Sequence, residues 1–342
     1  MWKSDSTRRL EDTKEKPFWC LLSVFEFKIP DFLISRFKIL ISRLMLEKIE
    51  KALQARAGIR ATDTDALRIV DGTGDGFNDL AIDDFAGNWL VETKGLFPEW
   101  LKAAPQPESI YWKKLGDKES PRWIAGAKQE GQFVVSENGI KYWIDFTSGY
   151  SQGIFLDQRD NRLVLRNMAS GKKVLNLFAY TCAFGVSAAL GGGDTVNLDL
   201  SKRYLEWGRR NYALNGLDPE KHDFIYGDVA DWLRRFRKKE RKFDIILLDP
   251  PTFSRNDKGA IFTIEEGFTA LVHDAAALVV PGGTLFCSTN QRSMSPSEFR
   301  RLITDGLEDL ENWDLRFAPI PADFSGEDYL KTWWLERVGD RI

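Results

Sequence analysis

Residues 148–342 predict an α/β fold in which a mostly parallel sheet is covered by helices on both faces. Residues 45–147 predict a smaller α+β domain ahead of it. Three observations carry this. Apolar runs near 173–178, 195–199, 223–226, 243–248 and 284–289 alternate with helical patterns near 184–190, 201–214, 229–238 and 265–278, as expected for strands buried on both faces. Residues 172–199 read as strand, tight turn, small-residue helix and second strand, a βαβ unit that closes on the carboxylate of Asp199. Before residue 148 the candidate strands are short and punctuated by turn residues instead of helices.

Taken in order, residues 1–44 differ in character from the rest of the chain. They read either as a short helical extension, with apolar residues at helical spacing over 29–44, or as an upstream stretch before a true start at Met45. Residues 45–58 place Leu46, Ile49 and Leu53 on one face and predict a helix. Strands are expected at 66–70, 80–83, 89–93 and 142–146, with turns at 71–76 and 136–139. Beyond the five strands of the larger region, 315–319 and 330–337 supply two more.

Composition narrows the function classes. The chain has 342 residues, 43% hydrophobic and 29% charged, with a net charge of −3. That is a globular protein with room for two cores, and any nucleic-acid contact must come from local patches. The three cysteines (Cys20, Cys182, Cys287) are far apart, no CxxC pair occurs, and there are two histidines. Neither a disulfide framework nor a metal site is expected, and reduced thiols fit the cytoplasm. No apolar run approaches the ~18 residues of a membrane span. The run at 18–25 is broken by Glu26, Lys28 and Pro30, so a signal peptide is not expected either.

The motifs point to chemistry at the ends of the strands. The turn over 178–185, FAYTCAFG, stands where a dinucleotide fold needs GxGxxG to let backbone approach a diphosphate. Bulky side chains leave little room for one, whereas S-adenosylmethionine (SAM) carries none. Asn176, Phe178, Tyr180 and Thr181 on this strand and turn are therefore candidate cofactor contacts, followed by Asp199, which can accept from two ribose hydroxyls, and Leu200. Asp228, after the third strand, is a candidate acceptor for the adenine amine, against the plain alternative of a solvated strand end. Asp249-Pro250-Pro251-Thr252-Phe253 follows the fourth strand. Two prolines in series remove two N–H donors and stiffen the loop, leaving fixed carbonyls and an aromatic face that suit a flat acceptor. The stretch 149–162 contains Asp157, Gln158 and Arg159, which read equally as a cover over the cofactor or as a helix start with solvated charges. The basic run 234–242 ends a helix, where cations favour the dipole; phosphate contact is the alternative. Residues 71–79 imitate the start of a calcium loop, but Ile82 stands where a bidentate Glu is required, so calcium is rejected.

FLDQRDNR (155–162), VLNLFAYT (174–181), Asp199, DPPTFS (249–254) and PGGTLF (281–286) together resemble the bacterial class I SAM-dependent rRNA large-subunit methyltransferases, over about residues 66–337. The resemblance implies a Rossmann-like sheet with an antiparallel last strand, SAM as cofactor, RNA as partner and no metal. It also separates two chemistries. Members that methylate cytosine C5 need a cysteine thiolate a few residues past the fifth strand. Counted from Gly282-Gly283, that place is Asn290, and Cys287 lies too early, inside an apolar strand. Ser288-Thr289-Asn290-Gln291-Arg292 resembles the guanine-N7 branch instead, although Cys182 replaces that branch's usual glycine. A guanine N7 lone pair needs positioning and no general base. Asp249, Pro250, Pro251, Phe253 and Asn290 are the expected catalytic set, with Phe253 stacking on an unstacked base and Asn290 or Arg292 touching its edges. A small-molecule or protein methyltransferase on the same fold is the rival reading.

Overall fold

In the computed structural model, residues 31–117, 119–149, 151–255 and 261–338 are described. The chain divides into two units, residues 1–45 and residues 46–342. Helix α1 (Asp31–Ala55) runs through the boundary, so Met45 lies inside a helix, while residues 1–30 fall outside the described ones. Ile49 and Ala52 of α1 are buried and Leu46 and Leu53 half-buried, the face expected from the apolar spacing. A single-turn helix α2 (Ala57–Arg60) comes next.

Five strands form the smaller sheet: β1 (Ala66–Asp71), β2 (Ala81–Phe85), β3 (Asn88–Thr93), β4 (Ser109–Lys114) and β5 (Arg122–Gly126), in that spatial order. All neighbours are antiparallel except β3 and β4. A hairpin, β6 (Phe133–Glu137) and β7 (Ile140–Ile144), completes this part. Strands β4, β5 and β6 were not expected from the sequence. β4 reaches its parallel partner only after a long irregular connection, and β5 has no fully buried residue, so neither carries a local signature. The 71–76 turn is closed by charge: Asp75 takes a bidentate pair from Arg56 at 2.6 and 2.7 Å and accepts from the Asp71 N–H. Among the described residues no cluster of acids, His and Cys is arranged to hold a metal, and no helix is long and apolar enough to cross a membrane.

The larger sheet then builds in βα steps. Its elements are α3 (Arg159–Met168), β8 (Lys173–Leu177), α4 (Ala183–Leu190), β9 (Asp194–Asp199), α5 (Lys202–Leu214), β10 (Asp223–Tyr226), α6 (Val229–Lys238) and β11 (Phe243–Leu248). A small hairpin, β12 (Phe253–Arg255) and β13 (Ile261–Thr263), precedes α7 (Ile264–Ala276), β14 (Val279–Thr289), α8 (Pro296–Asp305), β15 (Trp313–Ala318) and β16 (Lys331–Arg337). The order is β10-β9-β8-β11-β14-β16-β15. The first five strands are parallel, and β16, last in the chain, runs antiparallel between β14 and β15.

The continuous apolar runs are explained by this layering. Leu175, Leu177, Ile246 and Leu248 pack on one face with Leu233, Phe268 and Ile303 from α6, α7 and α8. Val174, Ile245 and Leu247 face the other way, against Leu165 of α3 and Phe184 and Ala188 of α4. Each fully buried Leu or Ile contributes roughly 1.5–3 kcal/mol, so alternation would have left one face without a core. From β8 the sheet grows one way through β9 and β10, and from β11 the other way through β14. The loops leaving β8 and β11 therefore part, which opens a crevice at their C-terminal ends.

Candidate active site

The turn after β8 is strained. Phe178, Tyr180 and Cys182 have φ of 55°, 49° and 60°, a left-handed conformation costing a non-glycine residue roughly 1–2 kcal/mol. Surrounding bonds hold it. The Ala179 N–H donates to Leu198 O at 3.0 Å, the Tyr180 N–H to Asp199 Oδ2 at 2.8 Å, and Asn211 Nδ2 to Thr181 O at 3.0 Å. Cys182 fits because α5 carries a glycine opposite it: a Cβ on Gly208 would lie 2.3 Å from Cys182 Sγ. Strain of this kind is kept where the neighbouring structure over-determines it, here at the mouth of the crevice.

That crevice holds a cavity of about 400 Å³. Ten sequence-predicted residues line it: Asp157, Gln158, Phe178, Tyr180, Asp199, Leu200, Asp249, Pro250, Pro251 and Asn290. Asp199 ends β9 with both oxygens engaged, Oδ2 by Tyr180 and Oδ1 by the Ser201 N–H at 2.8 Å. Each oxygen keeps a lone pair for a further donor. Burial pushes its carboxyl up, and the two backbone donors pull it partly back. Asp249 accepts from Gln158 Nε2 at 3.1 Å, while Gln158 also donates to Ser288 Oγ at 2.8 Å and accepts from Asn161 at 2.7 Å. Burial first, then the charge of Asp157, raise the Asp249 carboxyl to about 7. Asp157 is raised too, chiefly by burial, and accepts from Tyr329 Oη at 2.9 Å.

Five expected site residues lie outside this lining. Arg159 is buried in a bidentate pair with Asp323 at 2.6 and 2.9 Å. Asn176 donates sideways across the sheet to Asn197 at 3.0 Å. Thr181 donates to Gly153 O at 2.5 Å. Asp228 caps α6, accepting from the Asp231 N–H at 3.0 Å. Phe253 is 57% exposed on β12. In the basic run, Arg234, Arg237 and Arg241 pair with Asp231, Asp274 and Asp223, which favours the solvated-helix-end reading. The lining also includes residues the sequence reading missed: Ser151, Phe155, Ser201, Tyr204 and Leu330. Phe155 opens the 155–162 motif and Ser151 lies in the stretch 149–162, yet neither was named as a contact; Ser201 and Tyr204 begin the helix after Asp199, and Leu330 had no local signal. Cys287 sits in β14 opposite Leu248 and Trp333, inside the core, and burial pushes its thiol well up.

Residues 90–306 match the family described as S-adenosylmethionine-dependent methyltransferase. The chain belongs to that family. The methyltransferase is 36% identical over 275 residues (75% of this chain, 69% of the relative) to Bacillus subtilis (strain 168) YwbD, whose name proposes a ribosomal RNA large subunit methyltransferase. It is 41% identical over 206 residues to the ribosomal RNA large subunit methyltransferase K/L of Chromohalobacter salexigens, covering 59% of this chain but only 28% of that protein. Among solved structures it is similar to SMU.776, a proposed methyltransferase complexed with SAH, at a TM-score of 0.80 and 29% identity, covering 86% of this chain and 81% of that one. SAM is therefore the cofactor of this enzyme. The donor set fits it: the half-buried Asp199 carboxylate with spare lone pairs, aromatic and prolyl walls, and no diphosphate cradle.

Proposed function

We propose that this methyltransferase modifies a guanine of large-subunit ribosomal RNA, with N7 as the favoured atom. The observation that carries the reading is the exit of β14. Asn290 lines the cavity there, facing the loop after β11, and the nearest thiol, Cys287, is shut in the core. Methylation at cytosine C5 needs an accessible thiolate to make a carbon nucleophilic, and among the described residues both thiols are buried. The relatives' names support an rRNA substrate.

In this reading Asp199 receives the ribose hydroxyls of SAM, with Phe178, Tyr180 and Leu200 as apolar walls. Bound SAM supplies an electrophilic methyl group on a sulfonium. Pro250 and Pro251 offer a rigid wall without N–H donors, and Asn290 offers both a donor and an acceptor to the edge of a base. Gln158, fixed by Asn161 and Ser288, holds Asp249 in place. None of these groups needs to remove a proton, because N7 attacks with an in-plane lone pair; positioning within near-attack distance is the main contribution. Arg159, Asn176, Thr181 and Asp228 act through the scaffold, and Phe253 is left as an exposed ring beside the loop.

The test uses the full chain, SAM and unmodified large-subunit rRNA, followed by nuclease digestion and nucleoside mass spectrometry. New 7-methylguanosine, lost on Asp249→Ala, is expected. New 5-methylcytidine overturns the choice of atom. No methylated nucleoside on naked or particle-bound rRNA, with SAM binding intact, overturns the choice of substrate.

A further inference from the structure

A second cavity, of about 270 Å³, adjoins the first and shares Ser151, Phe155, Asp157 and Asn290 with it. That is room on the scale of one planar base and not of a stretch of RNA helix. One wall is the small sheet. Alternate residues Asp83/Phe85, Leu90/Glu92 and Lys113/Leu115, with Arg68, turn one face of β1–β4 toward it. Phe155, 45% exposed, borders both cavities with its ring 5.3 Å from that of Tyr180.

This sheet face is costly for mere packing. The side chains of Arg68, Asp83, Glu92 and Lys113 are 11%, 12%, 18% and 5% exposed. Replacing buried ion pairs by apolar residues of similar volume is often neutral or stabilising, so stability alone gives no reason for them. Their engagement is unequal. Arg68 occupies both oxygens of Asp83, at 2.7 and 3.0 Å. Tyr329 occupies one oxygen of Asp157. Glu92 is paired with Lys113 Nζ at 3.6 Å and lies 4.0 Å from Arg68 Nη2, a looser engagement than the fork on Asp83. A carboxylate held this loosely keeps lone pairs for further donors. Burial, then the charge of Asp83, push its carboxyl up, a penalty that a ligand with N–H donors would offset.

We infer that this second cavity receives the acceptor base and that Glu92 selects guanine in it. The inference rests on the proposed function above. Guanine alone among the four bases presents two adjacent donors, N1–H and the N2 amine, on the edge away from N7, and an ionised carboxylate accepts such a pair with two oxygens. Adenine and cytosine place an acceptor beside their donor, and uracil offers a single donor between carbonyls; each would set a lone pair against Glu92. Phe155 supplies the ring for the unstacked base, and the shared border at Asp157 and Asn290 puts N7 next to the first cavity.

The test compares wild type, Glu92→Gln and Glu92→Asp for SAM dissociation constant and for kcat/KM on an rRNA fragment whose methylated position has been mapped, made with guanosine or inosine there. Inosine lacks the N2 amine. Wild type is expected to favour guanosine by roughly tenfold or more, the scale of a lost base contact. Glu92→Gln should bind SAM normally, lose roughly ten- to a hundredfold in kcat/KM on guanosine, and no longer distinguish inosine. A Glu92→Gln enzyme with wild-type rate and wild-type discrimination overturns the inference. If that variant fails to bind SAM, Glu92→Asp decides: intact SAM binding with lost discrimination supports the role, and unchanged discrimination overturns it. A wild type that methylates cytosine, or no rRNA at all, overturns the proposed function itself, and this inference with it.

Discussion

Asp249→Asn is expected to stabilise this protein at alkaline pH while it impairs the enzyme. The Asp249 carboxyl moves from an ordinary 3.8 to about 7 on folding, mainly through burial. Folding therefore favours its neutral form: the contribution to stability is fully present below about pH 4 and is lost as pH rises through about 7. With each tenfold change in proton affinity worth ~1.4 kcal/mol, ionising this group in place costs up to about 4 kcal/mol at pH 8.5. Water entry and relaxation around a charged group reduce this, so about 2 kcal/mol is the expected gain. Asparagine keeps the shape; its carbonyl can accept from Gln158 and its amide can donate to Ser288. For a unit of this size 2 kcal/mol corresponds to a rise of about 3 °C in Tm. The assay is thermal unfolding of wild type and Asp249→Asn between pH 5 and pH 8.5, without SAM. The variant's advantage over wild type should grow from pH 5 to about pH 7 and then level off to pH 8.5, with slower methyl transfer throughout. Parallel stability curves across that range would refute the assignment of a buried, proton-hungry carboxylate.

Asp199→Ala removes the acceptor of both the Tyr180 and Ser201 N–H groups; SAM binding measured by calorimetry should weaken at least tenfold, since bonds to a charged group are worth roughly 1.5–3 kcal/mol each. Arg162→Met strands Glu137, which is paired with it at 2.6 and 2.7 Å with both side chains almost fully buried. The expected loss is roughly 3–5 kcal/mol, read as a lower denaturation midpoint, with much of it restored by adding Glu137→Leu. Cys182 and Cys287 are buried, and burial pushes both thiols up. In a Cys20→Ser background a thiol reagent at pH 8 should react with neither until the protein is denatured, and rapid labelling of Cys287 would reopen the cytosine reading.

The sheet was legible because its signals are local. Apolar runs of strand length, helices between them and acids at strand ends placed β8, β9, β10, β11 and β14 to within a few residues, and with them Asp199, Asp249 and the turn at 178–182. Where partners are remote, local signals were silent or misleading. Arg159 stood in a motif read as cofactor cover, yet its guanidinium belongs to Asp323, 164 residues away. Asp228 and Asn176 had the right residue type at a strand end or on a strand, and nearer backbone and side-chain partners took them. The sequence flagged Cys182 as a departure from glycine, and only the facing Gly208 explains how it is accommodated.

By itself, then, the sequence determined the layered α/β architecture and the crevice at the ends of β8 and β11, since periodicity and chain reversal depend on neighbours a few residues apart. The second cavity was decided by tertiary structure alone. Glu92 and Lys113 meet through a parallel pairing after a long connection, and Tyr329 reaches Asp157 from 172 residues away. Charges carry no periodic signature of their partners, so a buried charge reads as an ordinary surface residue until the fold closes over it.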